Sequence, residues 1–217
     1  MPKKFVLLCV AFLLAGALSS AVAAEREYGL GLRLGTQGLG AEFGVGISER
    51  FAVRAGYYTL EYSDDYEETD IVYDGDLHVG GLGAIVDFHP FKNGFRLSAG
   101  LFSNDNEVDL TATPTGPQEI GGTIYQPAEI GTLNGHIGFD STAPYFGLGY
   151  GRIHRGKRVG FLFDLGMLKQ GSGEASLASS TGLINLVDLE AEIDEIEQDI
   201  EDYDFWPVLS FGLAIRF

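Results

Sequence analysis

Thiol chemistry is missing from this chain. Its single cysteine, Cys9, sits in an apolar N-terminal run, and removing that run leaves no disulfide, no thiolate metal site and no cysteine nucleophile. Lys3 and Lys4, the apolar run 5–18 and the triplet Ala21-Val22-Ala23 predict a signal peptide over residues 1–24, cleaved near Ala23/Ala24. Long hydrophobic runs are missing as well. Nothing after the leader approaches the roughly 20 apolar residues of a spanning helix. Basic residues are the third scarcity. The chain carries 14 Lys and Arg against 31 Asp and Glu, a formal charge of −17, and loss of Lys3 and Lys4 takes −17 to −19. Such a surface repels phosphate, and no glycine-rich phosphate loop is present, so a nucleic-acid role is excluded.

What is abundant is alternation with a period of two, the signature of a strand with two unlike faces. Leu30, Leu32 and Leu34 alternate with Gly29, Gly31 and Arg33, and Leu39, Ala41, Phe43 and Val45 with Gly40, Glu42 and Gly44. The same pattern recurs near 51–58, 82–88, 95–101, 145–150 and 158–167, and in the final strand, where Leu209, Phe211, Leu213, Ile215 and Phe217 alternate with Ser210, Gly212, Ala214 and Arg216. Eight strands with one continuous apolar face predict an all-β, antiparallel, up-and-down transmembrane barrel over residues 25–217. The 31 glycines suit a crowded lumen and the ten tyrosines a membrane–water interface. An even strand number puts both termini on the periplasmic side.

The small face carries charge of both signs: Arg33, Glu42, Arg54, Asp87, Arg96 and Asp164. A two-residue turn at Gln37-Gly38 would set Arg33 opposite Glu42, and a turn over 89–94 would set Asp87 opposite Arg96 and Phe88 opposite Phe95. A lumen crossed by ion pairs follows. The connections divide sharply. Short ones carry Arg50, Lys92, Arg152, Arg155 and Lys157, whereas the long stretches 62–76, 104–140 and 171–205 hold 24 of the 31 acids and no base. Long loops belong outside, so Asp64, Asp65, Glu67, Glu68, Asp70 and Asp74 are expected to form an acidic outer mouth. The tight first outer connection departs from that pattern. Within 104–140, strand-like segments predict a β-hairpin projecting beyond the bilayer, turned at Pro114-Thr-Gly-Pro117. Leu186, Leu189, Ile193, Ile196, Ile200 and Tyr203 form one stripe of a helix over about 184–204, whose other positions bear ten acids. Like-charge crowding weakens such a helix, so its stripe must pack on something.

The leader, the segment Asp87-Phe-His-Pro-Phe-Lys-Asn-Gly-Phe-Arg-Leu-Ser-Ala-Gly100, the segment Ala143-Pro-Tyr-Phe-Gly-Leu-Gly-Tyr-Gly151 and the terminal Phe217 together resemble the small eight-stranded outer-membrane barrels of Gram-negative bacteria. That group includes the OmpA transmembrane domain, OmpW and CarO-type proteins. The resemblance covers the mature chain and implies the outer membrane as location. It also implies Phe217 as a membrane-insertion signal, the barrel-assembly machinery as a partner, and outer-membrane lipid and lipopolysaccharide as surroundings. Its members range from anchors to narrow channels and lipid-modifying enzymes. Two functions therefore stand open: a narrow, cation-preferring channel for small cationic or zwitterionic solutes, and a non-conducting structural or interaction barrel that displays the acidic hairpin and helix. An enzyme is disfavoured. His89 and His154 fall in periplasmic turns, and His78 and His136 lie outside with no serine at a telling spacing. All four read as surface histidines. No catalytic residue, cofactor or metal site is expected.

Overall fold

The computed structural model describes residues 27–68 and 70–217; the leader and its cleavage site lie outside the described residues. The strands are β1 (Tyr28–Gly35), β2 (Gly38–Gly46), β3 (Phe51–Glu68), β4 (Ile71–Phe88), β5 (Phe95–Asn104), β6 (Glu107–Pro114), β7 (Gln118–Ile120), β8 (Thr123–Tyr125), β9 (Leu133–Gly138), β10 (Thr142–Tyr150), β11 (Val159–Lys169), β12 (Glu174–Ser179) and β13 (Phe205–Arg216). A single helical turn α1 (Pro127–Ile130) and a helix α2 (Leu186–Asp199), followed by a 3₁₀ turn (Glu201–Tyr203), complete the chain.

Eight strands close a ring in the order β1-β2-β3-β4-β5-β10-β11-β13, with β13 pairing back onto β1. Closure leaves no edge for lipid to meet, which a membrane-crossing sheet requires. The alternating faces fall as expected. Leu30, Leu32, Leu34, Phe146, Phe161 and Phe211 point outward and are exposed, while Arg33, Glu42, Arg54, Asp87, Arg96 and Asp164 point inward and are buried.

Register differs from the expectation in two hairpins. The β1–β2 turn is Thr36-Gln37, not Gln37-Gly38, so Arg33 lies opposite Gly40 and Glu42 opposite Gly31. Asp87 pairs with Ser98 and Phe88 with Leu97, again a slip of two. A slip of two keeps every residue on its face, so the ion pairs survive as diagonals. The tight first turn has a cause. Thr36 donates from Oγ1 to Pro207 O at 2.7 Å and accepts from Leu209 N at 3.1 Å, while its own N–H reaches Leu209 O at 3.0 Å. The turn is stitched to β13 beside a proline that has no N–H to offer.

β3 and β4 are 18 residues each. A spanning strand needs about 9–11, so their outer halves project beyond the ring. The lower half of β4 pairs with β5 and the upper half with β6. The expected β-hairpin in 104–140 exists as β6 and β9, but not as a simple hairpin with a Pro-Thr-Gly-Pro turn. The intervening chain forms the β7–β8 ribbon and α1, and β12 adds to β9. The result is a five-stranded outer sheet, β3-β4-β6-β9-β12, standing on one side of the barrel rim.

The side of that sheet turned toward the barrel axis is apolar over β9 and β12. There α2 covers it, packing on β12 and β7. Ile120, Tyr125, Ile130, Ile184 and Leu189, with Leu133 and Leu177, form a small core of their own. The helix stripe is thus spent on the outer sheet. Leu189 is buried and Ile193, Ile196 and Ile200 are half-buried, while Leu186 and Tyr203 at the two ends remain exposed. Asn185 caps the helix by accepting Val187 N at 3.1 Å. Two helix acids have structural work: Glu197 accepts Ala175 N on the free edge of β12 at 3.0 Å, and Glu192 accepts Gly121 N at 2.9 Å. A capped edge resists pairing with foreign strands.

Candidate functional site

The lumen of an eight-stranded barrel is just wide enough for side chains, and four layers fill it here. In the middle, all six predicted residues meet in one lock of three arginines and three carboxylates, each at most 3% exposed. Arg54 is its hub, with Nη1 2.6 Å from Glu42 Oε1, Nε 2.9 Å from Asp87 Oδ2 and Nη2 3.0 Å from Asp164 Oδ1. Arg33 Nε reaches Glu42 Oε2 at 2.9 Å, and its guanidinium also pairs with Asp164. Arg96 Nη2 lies 2.6 Å from Asp164 Oδ2, and its Nε 3.6 Å from Asp87 Oδ1. Ser98 donates to Asp87 at 2.6 Å and Tyr58 donates to Glu42. The formal charges cancel, which is what a low-dielectric interior requires.

Above the lock lies an aromatic layer of Tyr58, Ile85, Phe102, Ala143, Tyr145, Leu168 and Val208, with Trp206 packed against it. Phe102 has Tyr58 at 5.5 Å and Tyr145 at 5.7 Å between ring centroids. Between this layer and the lock lies a cavity of about 10 Å³. Above the aromatics a hydrogen-bonded lid closes the rim. Asn106 donates to Gln170 Oε1 at 2.7 Å and accepts Gly80 N at 3.0 Å, Gln170 donates to Tyr203 O at 3.0 Å, and Asn104 donates to Asp140 O at 3.0 Å.

No local sequence pattern announces the bottom layer. The chain after Gly151 folds into the barrel. Ile153 packs with Leu162 and Ala214 against Gly29, Gly31 and Gly44, and the His154 ring rests on Gly46. A Cβ at Gly29 or Gly44 would strike Ile153, so these inward glycines are the socket of the plug. Two surface histidines of the sequence reading are therefore corrected. His89 and His154 are 1% and 3% exposed, their ring centroids 6.1 Å apart. His89 Nδ1 bonds Phe95 O at 3.1 Å, whereas neither nitrogen of His154 has a hydrogen-bond partner among the described residues.

Burial and the neighbouring charges of His89, Arg152 and Arg155 push the His154 imidazole down to about 4, against a smaller opposing pull from Asp87. Burial lowers His89 as well. A depressed histidine stays neutral when folded but takes a proton when unfolded below its ordinary value. Stability is therefore full above about pH 6.5 and falls as pH drops toward 4, by about 2–3 kcal/mol. His154→Leu should flatten that decline in urea unfolding of the detergent-folded barrel between pH 7.5 and 4.5. An unchanged pH profile would assign the acid sensitivity elsewhere.

The predicted acidic mouth is not a mouth. Asp64, Asp65, Glu67, Glu68, Asp70 and Asp74 sit at the tip of the β3–β4 hairpin. β2 last pairs β3 at Thr59, and Asp65 is six residues further, about 20 Å beyond the rim. Alternation then turns Asp65, Glu67 and Asp74 away from the axis. Asp65 opposes Asp74 directly and raises its carboxyl above the usual range. On that outward side stand also Glu61, Asp76, Glu107, Asp109 and Glu174, with His136 Nδ1 2.8 Å from Asp109 Oδ1.

A closed eight-stranded ring with an aliphatic and aromatic exterior, short connections at one end and a projecting sheet at the other is the fold of a small outer-membrane β-barrel. Solved structures agree. The chain is similar to CarO2 of Acinetobacter baumannii, with a TM-score of 0.59 and 24% identity over 88% of this chain and 98% of that one. It is similar to CarO of the same organism, with a TM-score of 0.57 and 23% identity over 87% and 97%. No protein-family model matches the sequence, and no curated protein matches it either. The CarO-type part of the sequence resemblance is thus borne out in the fold. The start of β1 at Tyr28 and the end of β13 at Arg216 lie at the end of the barrel that carries the short connections.

Proposed function

We propose that this protein is a closed outer-membrane barrel that anchors and displays the folded outer sheet and helix, a structural or interaction role without a conduit and without a catalytic step. The observation that carries this reading is the packed lumen. A cavity of about 10 Å³ beside the lock holds at most a single water. Plug, lock, aromatic layer and lid would all have to move before a solute passed. The outer module, by contrast, has its own apolar core and a capped sheet edge, the marks of a surface kept in one shape. Lipid and lipopolysaccharide are its expected surroundings and the barrel-assembly machinery its expected route into the membrane.

Single-channel recording of the refolded protein in a planar bilayer tests this. The expected result is a silent, fully folded barrel. Discrete, cation-selective openings would overturn the reading and favour passage of small cationic or zwitterionic solutes.

A further inference from the structure

The axis-facing side of the outer sheet has two halves. α2 covers β9 and β12 and α1 packs on β6, whose Pro114 is buried, but the outer halves of β3 and β4 and the Leu110 side chain of β6 lie open. Cross-strand pairing arranges that bare half in rows: Tyr62 beside Leu77, Asp64 beside Gly75 and then Leu110, and Tyr66 beside Tyr73. Tyr66 and Tyr73 stack with centroids 4.8 Å apart, and Tyr62 donates to Asp64 at 3.2 Å. Tyr62 and Tyr66 are 57% and 49% exposed. Gly75 puts no side chain into the middle row. A Cβ there would meet only Leu110 at 3.6 Å and the Asp64 carbonyl at 3.8 Å. The rows therefore leave a trough over Gly75, walled by Tyr66 and Tyr73 on one side and by Tyr62 and Leu77 on the other, and ended by the Asp64 carboxylate.

We propose that this trough docks an arginine-bearing peptide segment of a partner protein, the guanidinium lying over Gly75 on the Tyr66–Tyr73 side and against Asp64. The assignment deepens the display reading above and rests on it. Charge complementarity selects the occupant. No base stands in 62–76, 104–140 or 171–205, so an anionic glycan phosphate and the outer end of a second copy are both repelled. A guanidinium stacks on aromatic faces and pairs with a carboxylate through two donors, which an ammonium cannot match. The trough is open, and an enclosed site would bury about 70–90% of a small ligand. A free amino acid would keep most of its surface in water here, whereas a segment of chain can lie along the row.

The test is fluorescence anisotropy of a labelled oligoarginine peptide against the full-length folded protein in zwitterionic micelles, with oligolysine and oligoglutamate as comparison probes. Heat-modified electrophoretic mobility checks that each variant is folded. Oligoarginine should bind more tightly than oligolysine, and oligoglutamate not at all. Tyr66→Ser should weaken oligoarginine about two- to fivefold, the exposed cation–π range, and Gly75→Val, which fills the trough without changing charge, by at least as much. Asp65→Asn, on the opposite side of the sheet, should change it less than about twofold. Equal weakening by Asp64→Asn and Asp65→Asn with no effect of Gly75→Val would mean diffuse attraction and overturn the proposal. Preferential binding of oligoglutamate would overturn it too. Conduction by the wild-type barrel would instead defeat the display reading and leave this titration to be judged by itself.

Discussion

Arg54→Ala should unlock the barrel. Arg54 touches Glu42, Asp87 and Asp164 at 2.6, 2.9 and 3.0 Å. Its removal leaves two guanidiniums facing three buried carboxylates. Breaking a buried ion pair from one side costs about 3–5 kcal/mol, because the orphaned charge stays out of water. Here each carboxylate keeps a second partner: Glu42 has Arg33 and Tyr58, Asp87 has Ser98, and Asp164 has Arg96 and Arg33. The expected loss is therefore near the lower end of that range. The lost side chain also enlarges the cavity of about 10 Å³ that Arg54 already lines. Water entering there should give the variant a small cation leak that the wild type lacks. Arg54→Met keeps most of the volume, so it should be destabilised yet silent. Arg54→Met combined with Asp87→Asn restores charge balance and should recover part of the loss. Urea unfolding from lipid vesicles and planar-bilayer recording read the two effects separately. A stable, silent Arg54→Ala protein would show that the lock neither holds nor seals the lumen.

Phe102→Ala should cost a comparable amount by a different route. Phe102 is 2% exposed and lies between Tyr58 and Tyr145. Deleting a buried aromatic side chain typically costs about 3–5 kcal/mol in lost transfer energy and an uncollapsed cavity. Barrel strands are tied on both sides by backbone hydrogen bonds and have little freedom to close over such a void. The variant should unfold at markedly lower urea yet remain silent in the bilayer, because the lock beneath it is intact. Conduction by Phe102→Ala would relocate the seal to the aromatic layer. The contrast with Arg54→Ala separates what stabilises the lumen from what closes it.

Faces were legible in the sequence and registers were not. Strand side chains alternate with a period of two, so composition along β1, β2, β4 and β5 announces which residues point inward. Any slip by two preserves that announcement. This is why Arg33 and Glu42 meet although each pairs with a glycine across the strands. Long side chains bridge such diagonals readily. The stripe of α2 was likewise readable, but what it packs on was not. β6, β9 and β12 join through pairings far apart in the chain.

The amino-acid sequence by itself determined the eight strands of the ring, their two faces, the three cations and three anions of the lock, and the acidic character of the outer segments. These follow from local periodicity and composition, which any fold of this chain must respect. Only the tertiary structure decided that the acids stand about 20 Å beyond the rim and not around it. It alone decided that His89 and His154 are buried, that glycines on β1 and β2 form the socket of a plug, and that half of the outer sheet is left bare. Each of these depends on which distant segment arrives at a given face. Burial of the turn after Gly151 needs the floor made by Gly29, Gly31 and Gly44, over a hundred residues earlier in the chain, and nothing in the turn's own residues records it.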